Sequence, residues 1–364
     1  MTQRAKKLFP EGEKVAGLEN QEAVLRDFSQ PWLDLNDKDV MVTGGTGSFG
    51  QHFVTTVLRQ YKPRRLIIFS RDELKQYEMQ QRFSQELHPC MRYFIGDVRD
   101  RDRLEMAMSN VDYVVHAAAL KQVPAAEYNP FECIRTNVLG AENLVYAALR
   151  RNVKKVIALS TDKAANPVNL YGASKLASDK IFVAANNMSG ADGTRFGVVR
   201  YGNVFGSRGS VVPFFKKLAA DGALELPITD ARMTRFWITL TQGVNFVLSS
   251  MEMSRGGEIF VPKIPSTTIT GLATLLGPEL AQKIVGIRPG EKLHETMIPA
   301  DDSHWTLELP DRYLVLASFA ASSRDAYLNR GAKPVAEGFA YSSDSNPELL
   351  DARGLQHLLA EAYA

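Results

Sequence analysis

The stretch of sequence that decides the fold runs from residue 39 to residue 50 and reads D-V-M-V-T-G-G-T-G-S-F-G. Its first five residues have the pattern of a short buried strand, and a helical pattern follows the glycines as far as about Arg59. A strand, a glycine loop and a helix start in this order let a pyrophosphate approach the backbone and bind free N–H groups. We therefore predict a dinucleotide-binding unit here, with a plain tight turn as the alternative.

Strand and helix patterns continue to alternate after this unit. We predict strands at residues 65–69, 92–95, 111–116, 155–160 and 195–200, and a helix at 131–150. Such alternation predicts an α/β fold with a Rossmann-like, doubly wound parallel sheet and helices on both faces. Beyond residue 205, glycines, small polar residues and prolines predict a smaller, interleaved C-terminal substrate domain.

We accordingly divide the sequence into four parts. They are an N-terminal extension (1–37) with a short helix near 22–28, a cofactor-binding Rossmann domain (38–205) joined by a returning helix near 240–254, a substrate domain (206–350), and a C-terminal tail (351–364).

Composition excludes several classes of protein. Of the 364 residues, 45% are hydrophobic and 23% are charged, which is typical of a soluble globular chain, and we expect a cytoplasmic location. No apolar run approaches the ~18 residues that span a bilayer, so we predict no membrane contact. A net charge of +2 gives no reason to expect nucleic acid as a partner. We predict no metal, because Cys90 and Cys133 lack ligand spacing and His294 beside Glu295 is more often structural.

A second informative stretch, residues 160–175, reads S-T-D-K-A-A-N-P-V-N-L-Y-G-A-S-K. The i, i+4 spacing of Tyr171 and Lys175 places both side chains on one face of a helix. We expect the ammonium to lower the pKa of the phenol, so that Tyr171 can exchange a proton with a substrate hydroxyl. The same pattern occurs by chance on helix surfaces, but the nucleotide-binding loop upstream favours the catalytic interpretation.

Three more polar residues, Thr161, Asp162 and Lys163, follow the strand directly. They supply a hydroxyl donor, a carboxyl acid and an amine base, which suggests chemistry beyond simple oxidation. As a base, Lys163 needs a pKa lowered toward neutrality, and pairing with Asp162 would act in the opposite direction. We expect the two side chains to point apart, with a salt-bridged lysine at a strand end as the alternative.

The residues after the second predicted strand bear on the choice of dinucleotide. Ser70 and Arg71 stand about 20 residues after Gly50, where an NAD-binding fold usually has an acid, and Lys75 lies one helical turn further on. Cations at this place favour the 2′-phosphate of NADP, although Asp72 and Glu73 also allow a solvated helix start. Asp97 could accept from an adenine amino group or be a turn residue. The candidate cofactor-binding residues are Thr43, Gly44, Thr46, Gly47, Ser48, Phe49, Gly50, Ser70, Arg71, Lys75, Asp97, Val98, Ala117, Ala118, Ala119, Lys121, Asn137, Tyr171 and Lys175.

These motifs, taken in order, resemble those of the extended short-chain dehydrogenase/reductases. The closest resemblance is to the soluble, inverting UDP-N-acetylglucosamine 4,6-dehydratases of pseudaminic acid synthesis for flagellin glycosylation. It covers residues 37–350 and rests on T-G-G-T-G-S-F-G, F-S-R-D-E-L-K-Q, I-G-D-V-R-D, H-A-A-A-L-K-Q-V-P, the stretch at 160–175, R-Y-G-N-V-F-G-S-R-G-S-V-V-P and G-I-R-P-G-E-K-L-H-E.

The resemblance implies a reaction and a role for each residue. A hexosyl nucleotide is oxidised at C4 by NADP⁺, loses water across C5 and C6, and regains the hydride at C6. Tyr171 with Lys175 takes the O4 proton, and Thr161 orients O4. Asp162 protonates the leaving O6 hydroxyl, and Lys163, which replaces the glutamate usual in the thymidine-diphosphoglucose enzymes, handles the C5 proton. The implied substrate-binding residues are Asn203, Ser210, Val211, Pro213, Arg235, Arg288 and Glu291, with residues 210–213 forming a turn.

Three alternatives stay open at this point. The nucleotide of the N-acetylglucosamine substrate could be GDP instead of UDP. A 4-epimerase of the same fold would need only Tyr171 and Lys175, and would leave Asp162 and Lys163 without a role. The chain could also be a catalytically dead NADP-binding scaffold, although the four residues are all present. We expect a homo-oligomer.

Overall fold

The computed structural model describes residues 21–22, 25–190, 192–207, 209–319 and 321–363. The strands of this part are β1 (Gln21–Glu22), β2 (Asp39–Thr43), β3 (Arg65–Ser70), β4 (Met91–Ile95), β5 (Tyr113–His116), β6 (Lys155–Thr161), β7 (Arg195–Tyr201), β8 (Asn203–Val204), β9 (Glu225–Ile228), β10 (Thr234–Ile238), β11 (Glu258–Pro262), β12 (Ser266–Thr268), β13 (Ala281–Ile284), β14 (Thr296–Ile298), β15 (Thr306–Glu308), β16 (Arg312–Leu316), β17 (Lys333–Pro334), β18 (Tyr341–Ser342) and β19 (Glu348–Leu349).

The α-helices are α1 (Ser48–Gln60), α2 (Glu73–Arg82), α3 (Arg101–Ala107), α4 (Val123–Tyr128), α5 (Pro130–Ile134), α6 (Gly140–Arg150), α7 (Leu170–Ala185), α8 (Val211–Ala220), α9 (Leu240–Met253), α10 (Ile269–Leu276), α11 (Ala321–Leu328) and α12 (Ala352–Tyr363). Short 3₁₀ segments cover Asp162–Ala164 and Ala300–Trp305. None of the helices in the described part is both long and apolar enough to cross a bilayer.

The largest sheet has ten strands in the order β17-β15-β16-β11-β7-β6-β5-β2-β3-β4. From β4 to β11 every neighbouring pair is parallel, and β16, β15 and β17 add an antiparallel edge. The central strands are apolar and buried on both faces, as expected for a parallel sheet that helices cover on both sides. The predicted α/β fold with a Rossmann-like parallel sheet is confirmed.

The helix predicted at 131–150 is interrupted by one π-helical stretch. The chain passes from α5 through Arg135–Leu139 in π conformation into α6. The side chain of Asn137, within this stretch, donates to the carbonyl of Leu120 at 2.9 Å and accepts from its N–H at 2.8 Å. The π turn thus places one amide where it fixes the segment after β5.

A second apolar cluster lies beside the main core, in the C-terminal half. It includes Phe205, Phe215 and Trp237, and the rings of Phe205 and Trp237 are 5.3 Å apart. Leu355 and Leu358 of α12 belong to it, so the predicted C-terminal tail contains a packed helix. By contrast, α9 contributes its buried residues to the main core, as the predicted returning helix should. The domain boundaries themselves stay a prediction.

The described end of the N-terminal extension packs on the main body. Arg26 forms an ion pair with Glu348 at 2.7 Å, and Gln242 and Asn245 of α9 donate to the carbonyls of Arg26 and Asp27 at 2.8 Å. Glu22 lies in a strand and residues 25–28 form no helix, so the helix predicted near 22–28 is wrong in its described part. The strand pairs with β19, and this tertiary pairing overrides the local helical pattern. Residues 1–20 of the predicted extension lie outside the described residues.

The glycine loop between β2 and α1 is packed too closely for side chains. A Cβ on Gly44, where φ is +67°, would lie 2.8 Å from the backbone nitrogen of Ala118. A Cβ on Gly50 would lie 2.4 Å from the Cα of Gly45. Gly47 occupies the N-cap of α1 without a side chain to cap the first turn. The loop therefore offers backbone N–H groups to an anion, as the sequence predicts.

We expect Gly50→Ala to weaken dinucleotide binding. Its methyl group must push α1 away from Gly45, which should lower the affinity for NADP⁺ at least about tenfold and destabilise the fold by ~1–3 kcal/mol. Calorimetric titration and chemical denaturation measure the two effects. Gly243→Ala in α9 is the matched control, because nothing lies within 4 Å of its added Cβ. Equal NADP⁺ affinity in Gly50→Ala and the wild type would contradict the assignment of this loop.

Candidate active site

One cavity of 1310 Å³ runs along the carboxyl ends of the parallel strands. Most of the predicted site residues line it: Gly44, Thr46, Gly47, Ser48, Phe49, Gly50, Ser70, Arg71, Lys75, Asp97, Val98, Ala117, Ala118, Ala119, Lys121, Thr161, Lys163, Tyr171, Lys175, Asn203, Ser210, Val211, Pro213, Arg235, Arg288 and Glu291. Thr43, Asn137 and Asp162 do not line it. The topology therefore gathers residues from distant parts of the sequence along a single cleft, as parallel sheets do at their carboxyl ends.

Thr43 and Asn137 support the wall from behind. The hydroxyl of Thr43 hydrogen-bonds to Nδ1 of His116 at 2.8 Å and accepts from the N–H of Ala118 at 3.3 Å. Burial, with the charge of Lys175, lowers the pKa of His116 to about 3, so the imidazole is neutral. Asn137 holds Leu120 from the other side. Both residues shape the segment that follows β5 and are structural supports of the wall.

The outer end of the cavity carries cations. The side chain of Arg71 is 55% exposed and its guanidinium lies 3.7 Å from Asp97, while Lys75 pairs with Asp72, the N-cap of α2. Burial would raise the pKa of Asp97, but hydrogen bonds from Arg99 outweigh it and lower that pKa. The predicted acceptor Asp97 is therefore an ionised carboxylate, and Arg71 has room to reach a phosphate.

Tyr171 and Lys175 both line the inner end of the cavity from α7, on one helix as their spacing predicts. Asn169 caps this helix by accepting from the N–H of Gly172 at 2.7 Å. Burial raises the pKa of Tyr171 to about 12, against the opposing effects of Lys163 and Thr161. The prediction of a lowered Tyr171 pKa is wrong in this structure, because the effect of burial outweighs that of the cations. The Lys175 ammonium donates to the carbonyl of Leu159 at 2.6 Å. Burial in turn lowers the pKa of Lys175.

Asp162 and Lys163 do not point apart. Lys163 Nζ lies 3.0 Å from Oδ1 of Asp162 and 3.2 Å from Oε1 of Glu295. Burial alone would lower the pKa of Lys163, but the two carboxylates raise it above its ordinary value. The predictions of separated side chains and of a lowered lysine pKa are both wrong. Lys163 reaches the cavity with 24% of its side chain exposed, whereas the Asp162 side chain is 1% exposed and lies behind it.

Glu295 and Lys292 belong to the site, although the sequence reasoning did not select them. Both line the cavity next to Lys163, and Lys292 donates to the carbonyl of Ala165 at 2.6 Å. They stand in the run G-I-R-P-G-E-K-L-H-E, in which the sequence predicts only Arg288 and Glu291 as site residues. The residues next to Glu295 in the sequence do not indicate that its carboxylate lies beside Lys163, because that contact joins distant parts of the chain.

The predicted substrate-binding residues occupy the other half of the cavity. Asn203 accepts from Lys163 Nζ at 3.4 Å. Residues 210–213 form the start of α8, with Ser210 as the N-cap, and not the predicted turn. The Arg235 guanidinium already donates to the carbonyls of Thr234, Leu293 and Lys292 at 2.7–3.0 Å, so it holds that loop in place.

Arg288 is the more accessible cation in this half. Its side chain is 71% exposed and pairs with Glu291, which keeps the pKa of Glu291 low despite burial. Within the described residues, no group of three His, Cys, Asp or Glu side chains could hold a metal ion. Cys133 is buried and Cys90 is half-buried, and both are free thiols.

Comparison with known proteins places the chain among enzymes of nucleotide sugars. A relative from Campylobacter jejuni named UDP-N-acetylglucosamine 4,6-dehydratase (inverting) is 62% identical over 318 residues, which is 86% of this chain and 94% of the relative. The crystal structure of Pen from Bacillus thuringiensis superposes with a TM-score of 0.82 at 34% identity, covering 91% of this chain and 99% of that one.

A more distant structure carries ligands. DesIV, a dTDP-glucose 4,6-dehydratase from Streptomyces venezuelae with NAD and TYD bound, has a TM-score of 0.61 at 25% identity, over 70% of this chain and 86% of its own. The model of the family described as "Polysaccharide biosynthesis protein" matches residues 40–317. The chain belongs to this polysaccharide biosynthesis family and, within it, is a close relative of the inverting UDP-N-acetylglucosamine 4,6-dehydratases.

Proposed function

We propose that this protein is an NADP-dependent UDP-N-acetylglucosamine 4,6-dehydratase that inverts C5. One observation carries the proposal: Thr161, Lys163 and Tyr171 face a single cavity that also contains the glycine loop. The proton-exchanging tyrosine and the additional acid–base groups thus lie where one sugar ring could contact them all. The 62% identity to the Campylobacter jejuni enzyme supports the same assignment.

The residues of the outer half fit a nicotinamide dinucleotide. The glycine loop leaves no space for side chains and presents the uncapped start of α1, which suits a pyrophosphate. Arg71 and Lys75 bring two cationic side chains to the ribose end, each beside an aspartate, and their turning to a 2′-phosphate would favour NADP over NAD. When bound, the nicotinamide accepts a hydride from the sugar and returns it.

Tyr171 is the proposed proton acceptor for the C4 hydroxyl. Its pKa of about 12 already includes the effect of Lys163, so the phenol holds its proton at neutral pH in this structure, and Tyr171 needs further positive charge at the site before it can act as a base. In this structure the cation that lowers the Tyr171 pKa is Lys163. Thr161, which donates to Asp162 at 2.9 Å, supplies the hydroxyl beside O4.

Loss of water is assigned to Asp162 and Lys163. A C4 ketone acidifies H5, so oxidation must precede elimination. Lys163 is the proposed C5 base, and its nitrogen gains the proton while the C5–H electrons form the C5–C6 double bond and expel the C6 hydroxyl. The proton that Asp162 gives to that hydroxyl comes from the Lys163 ammonium, which lies 3.0 Å from Oδ1 of Asp162, so one transfer between them supplies both the amine base and the carboxylic acid. An epimerase needs no such pair, so the pair favours the dehydratase.

The remaining assignments rest on the comparisons, the resemblance and the residues that line the cavity. UDP is preferred to GDP on the identity of the relative from Campylobacter jejuni. The resemblance suggests a role in pseudaminic acid synthesis, in the cytoplasm, by a homo-oligomer. Asn203, Ser210, Val211, Pro213, Arg288 and Glu291 are proposed to contact the sugar diphosphate, with Arg235 supporting their loop.

We expect NADP⁺ to bind more tightly than NAD⁺. A charged hydrogen bond to the 2′-phosphate contributes roughly 1.5 to 3 kcal/mol, so Arg71→Ala should reduce NADP⁺ affinity tenfold to about a hundredfold and leave NAD⁺ affinity unchanged. Calorimetry measures both affinities. Arg59→Ala, which removes an exposed cation from the last turn of α1, should change neither. Equal affinities for the two dinucleotides in the wild type would refute the NADP assignment.

The proposed reaction predicts that one hydride leaves C4 and returns to C6 within a turnover. UDP-N-acetylglucosamine deuterated at C4 should give a 4-keto-6-deoxy product with deuterium in its C6 methyl group, and no added reductant should be needed. Mass spectrometry and NMR of the product locate the label. Parallel incubation with the GDP sugar decides the nucleotide. Deuterium recovered in free NADPH would indicate a dehydrogenase, and a C4 epimer without water loss would indicate an epimerase.

A further inference from the structure

The proposed chemistry leaves one buried carboxylate of the cavity without a role. Glu295 is 1% exposed, and its Oε1 lies 3.2 Å from Nζ of Lys163 and 3.7 Å from Nε of Arg235. Its Oε2 lies 3.9 Å from Nζ of Lys292 and accepts no hydrogen bond from the described residues. A buried carboxylate oxygen without a hydrogen bond is costly, so the placement of Glu295 calls for a functional explanation.

The backbone of Glu295 is held firmly on both sides. Its N–H donates to Oγ of Ser343 at 2.9 Å, and the N–H of Ser343 donates to the Glu295 carbonyl at 2.8 Å. The Ser343 hydroxyl also hydrogen-bonds to that of Thr234, which in turn contacts Nδ1 of His294. This network, between β10, β14 and β18, leaves the Glu295 carboxylate little freedom to move away from Lys163.

The charges around this carboxylate can be named element by element. Asp162 and Lys163 face it from the 3₁₀ segment after β6, Arg235 faces it from β10, and Lys292 faces it from the preceding loop. Burial and the charge of Asp162 raise the pKa of Glu295, and the three cations act against them. Tyr171 of α7 lies near Lys163 on the cavity side. Lys163 is thus an ammonium between two buried carboxylates.

We propose that Glu295 is a positioning residue that, together with Asp162, holds the Lys163 ammonium at the cavity wall and sets the pH at which Lys163 becomes an amine. The consequence for the reaction follows from the order of its steps. While C4 is being oxidised, the ammonium stabilises the Tyr171 phenolate, and the later elimination requires the same nitrogen as a base. Glu295 keeps the proton on Lys163 during the first step, so elimination depends on its release.

The inference is tested by titrating Lys163 directly in the full-length protein. Acetic anhydride reacts with a lysine only in its amine form, so the pH dependence of acetylation of the Lys163 peptide, followed by mass spectrometry, gives the pH midpoint of Lys163. Glu295→Gln keeps the shape of the side chain and removes its charge. One opposite charge within about 4–6 Å shifts a pKa by ~1–3 units, so the midpoint should fall by about that amount.

A kinetic readout accompanies the titration and rests on the proposed function. The rate at which H5 exchanges with D₂O should fall on the acid side of its pH profile. In Glu295→Gln this fall should move to lower pH, in the same direction as the acetylation midpoint. Asp344→Asn is the matched control: it removes an exposed charge next to Ser343 and should shift neither curve. If Glu295→Gln does not fold, Ser343→Ala, which frees the Glu295 N–H, should give a smaller shift of the same sign.

The outcomes separate the two proposals. An unchanged or raised midpoint, or a loss of H5 exchange by the same factor at every pH, would overturn the role of Glu295. A lowered midpoint in a protein that does not dehydrate UDP-N-acetylglucosamine would support the role of Glu295 in holding the Lys163 proton and refute the proposed function. Dehydration with an unshifted midpoint would support the proposed function and refute the role of Glu295.

Discussion

An ammonium held between two buried carboxylates is the interaction on which the rest of the site depends. Lys163 lies 3.0 Å from Asp162 and 3.2 Å from Glu295, in a place where water screens charge weakly. Either carboxylate alone would be costly to bury, and the lysine offsets part of that cost for both. The same cation acts to lower the pKa of Tyr171 against the effect of burial, so the charge that stabilises the cluster would also assist the proposed exchange of the O4 proton.

The fold brings these charges together from separate parts of the chain. Asp162 and Lys163 stand in the 3₁₀ segment that follows β6, while Glu295 directly precedes β14 in the C-terminal half. Gly172 shows how closely the site is built, because a Cβ there would lie 2.3 Å from the carbonyl of Lys163. The helix that carries Tyr171 therefore packs directly on the segment that carries Lys163, and their relative positions are fixed by backbone contact.

Much of this architecture was predictable from local patterns. The strands β2, β3, β6 and β7 and the helices α1 and α9 follow from apolar periodicity, and the glycine loop follows from its place between a strand and a helix. Electrostatics was less predictable. Adjacent residues Asp162 and Lys163 were expected to diverge, yet Glu295, 132 positions further on in the sequence, draws the lysine into a pair. Whether a lysine pKa rises or falls depends on such distant partners, which periodicity does not reveal.

The central claim is that Lys163 turns an oxidation site into a dehydration site. Single-turnover mixing of Lys163→Ala with UDP-N-acetylglucosamine tests it most directly, with reduced-nicotinamide absorbance and product mass followed together. We expect oxidation at C4 to persist but to be slower, because Tyr171 loses a nearby cation. The reduced-nicotinamide absorbance should therefore rise without decaying, and the product mass should show no loss of water. Dehydration by this variant at close to the wild-type rate would contradict the account.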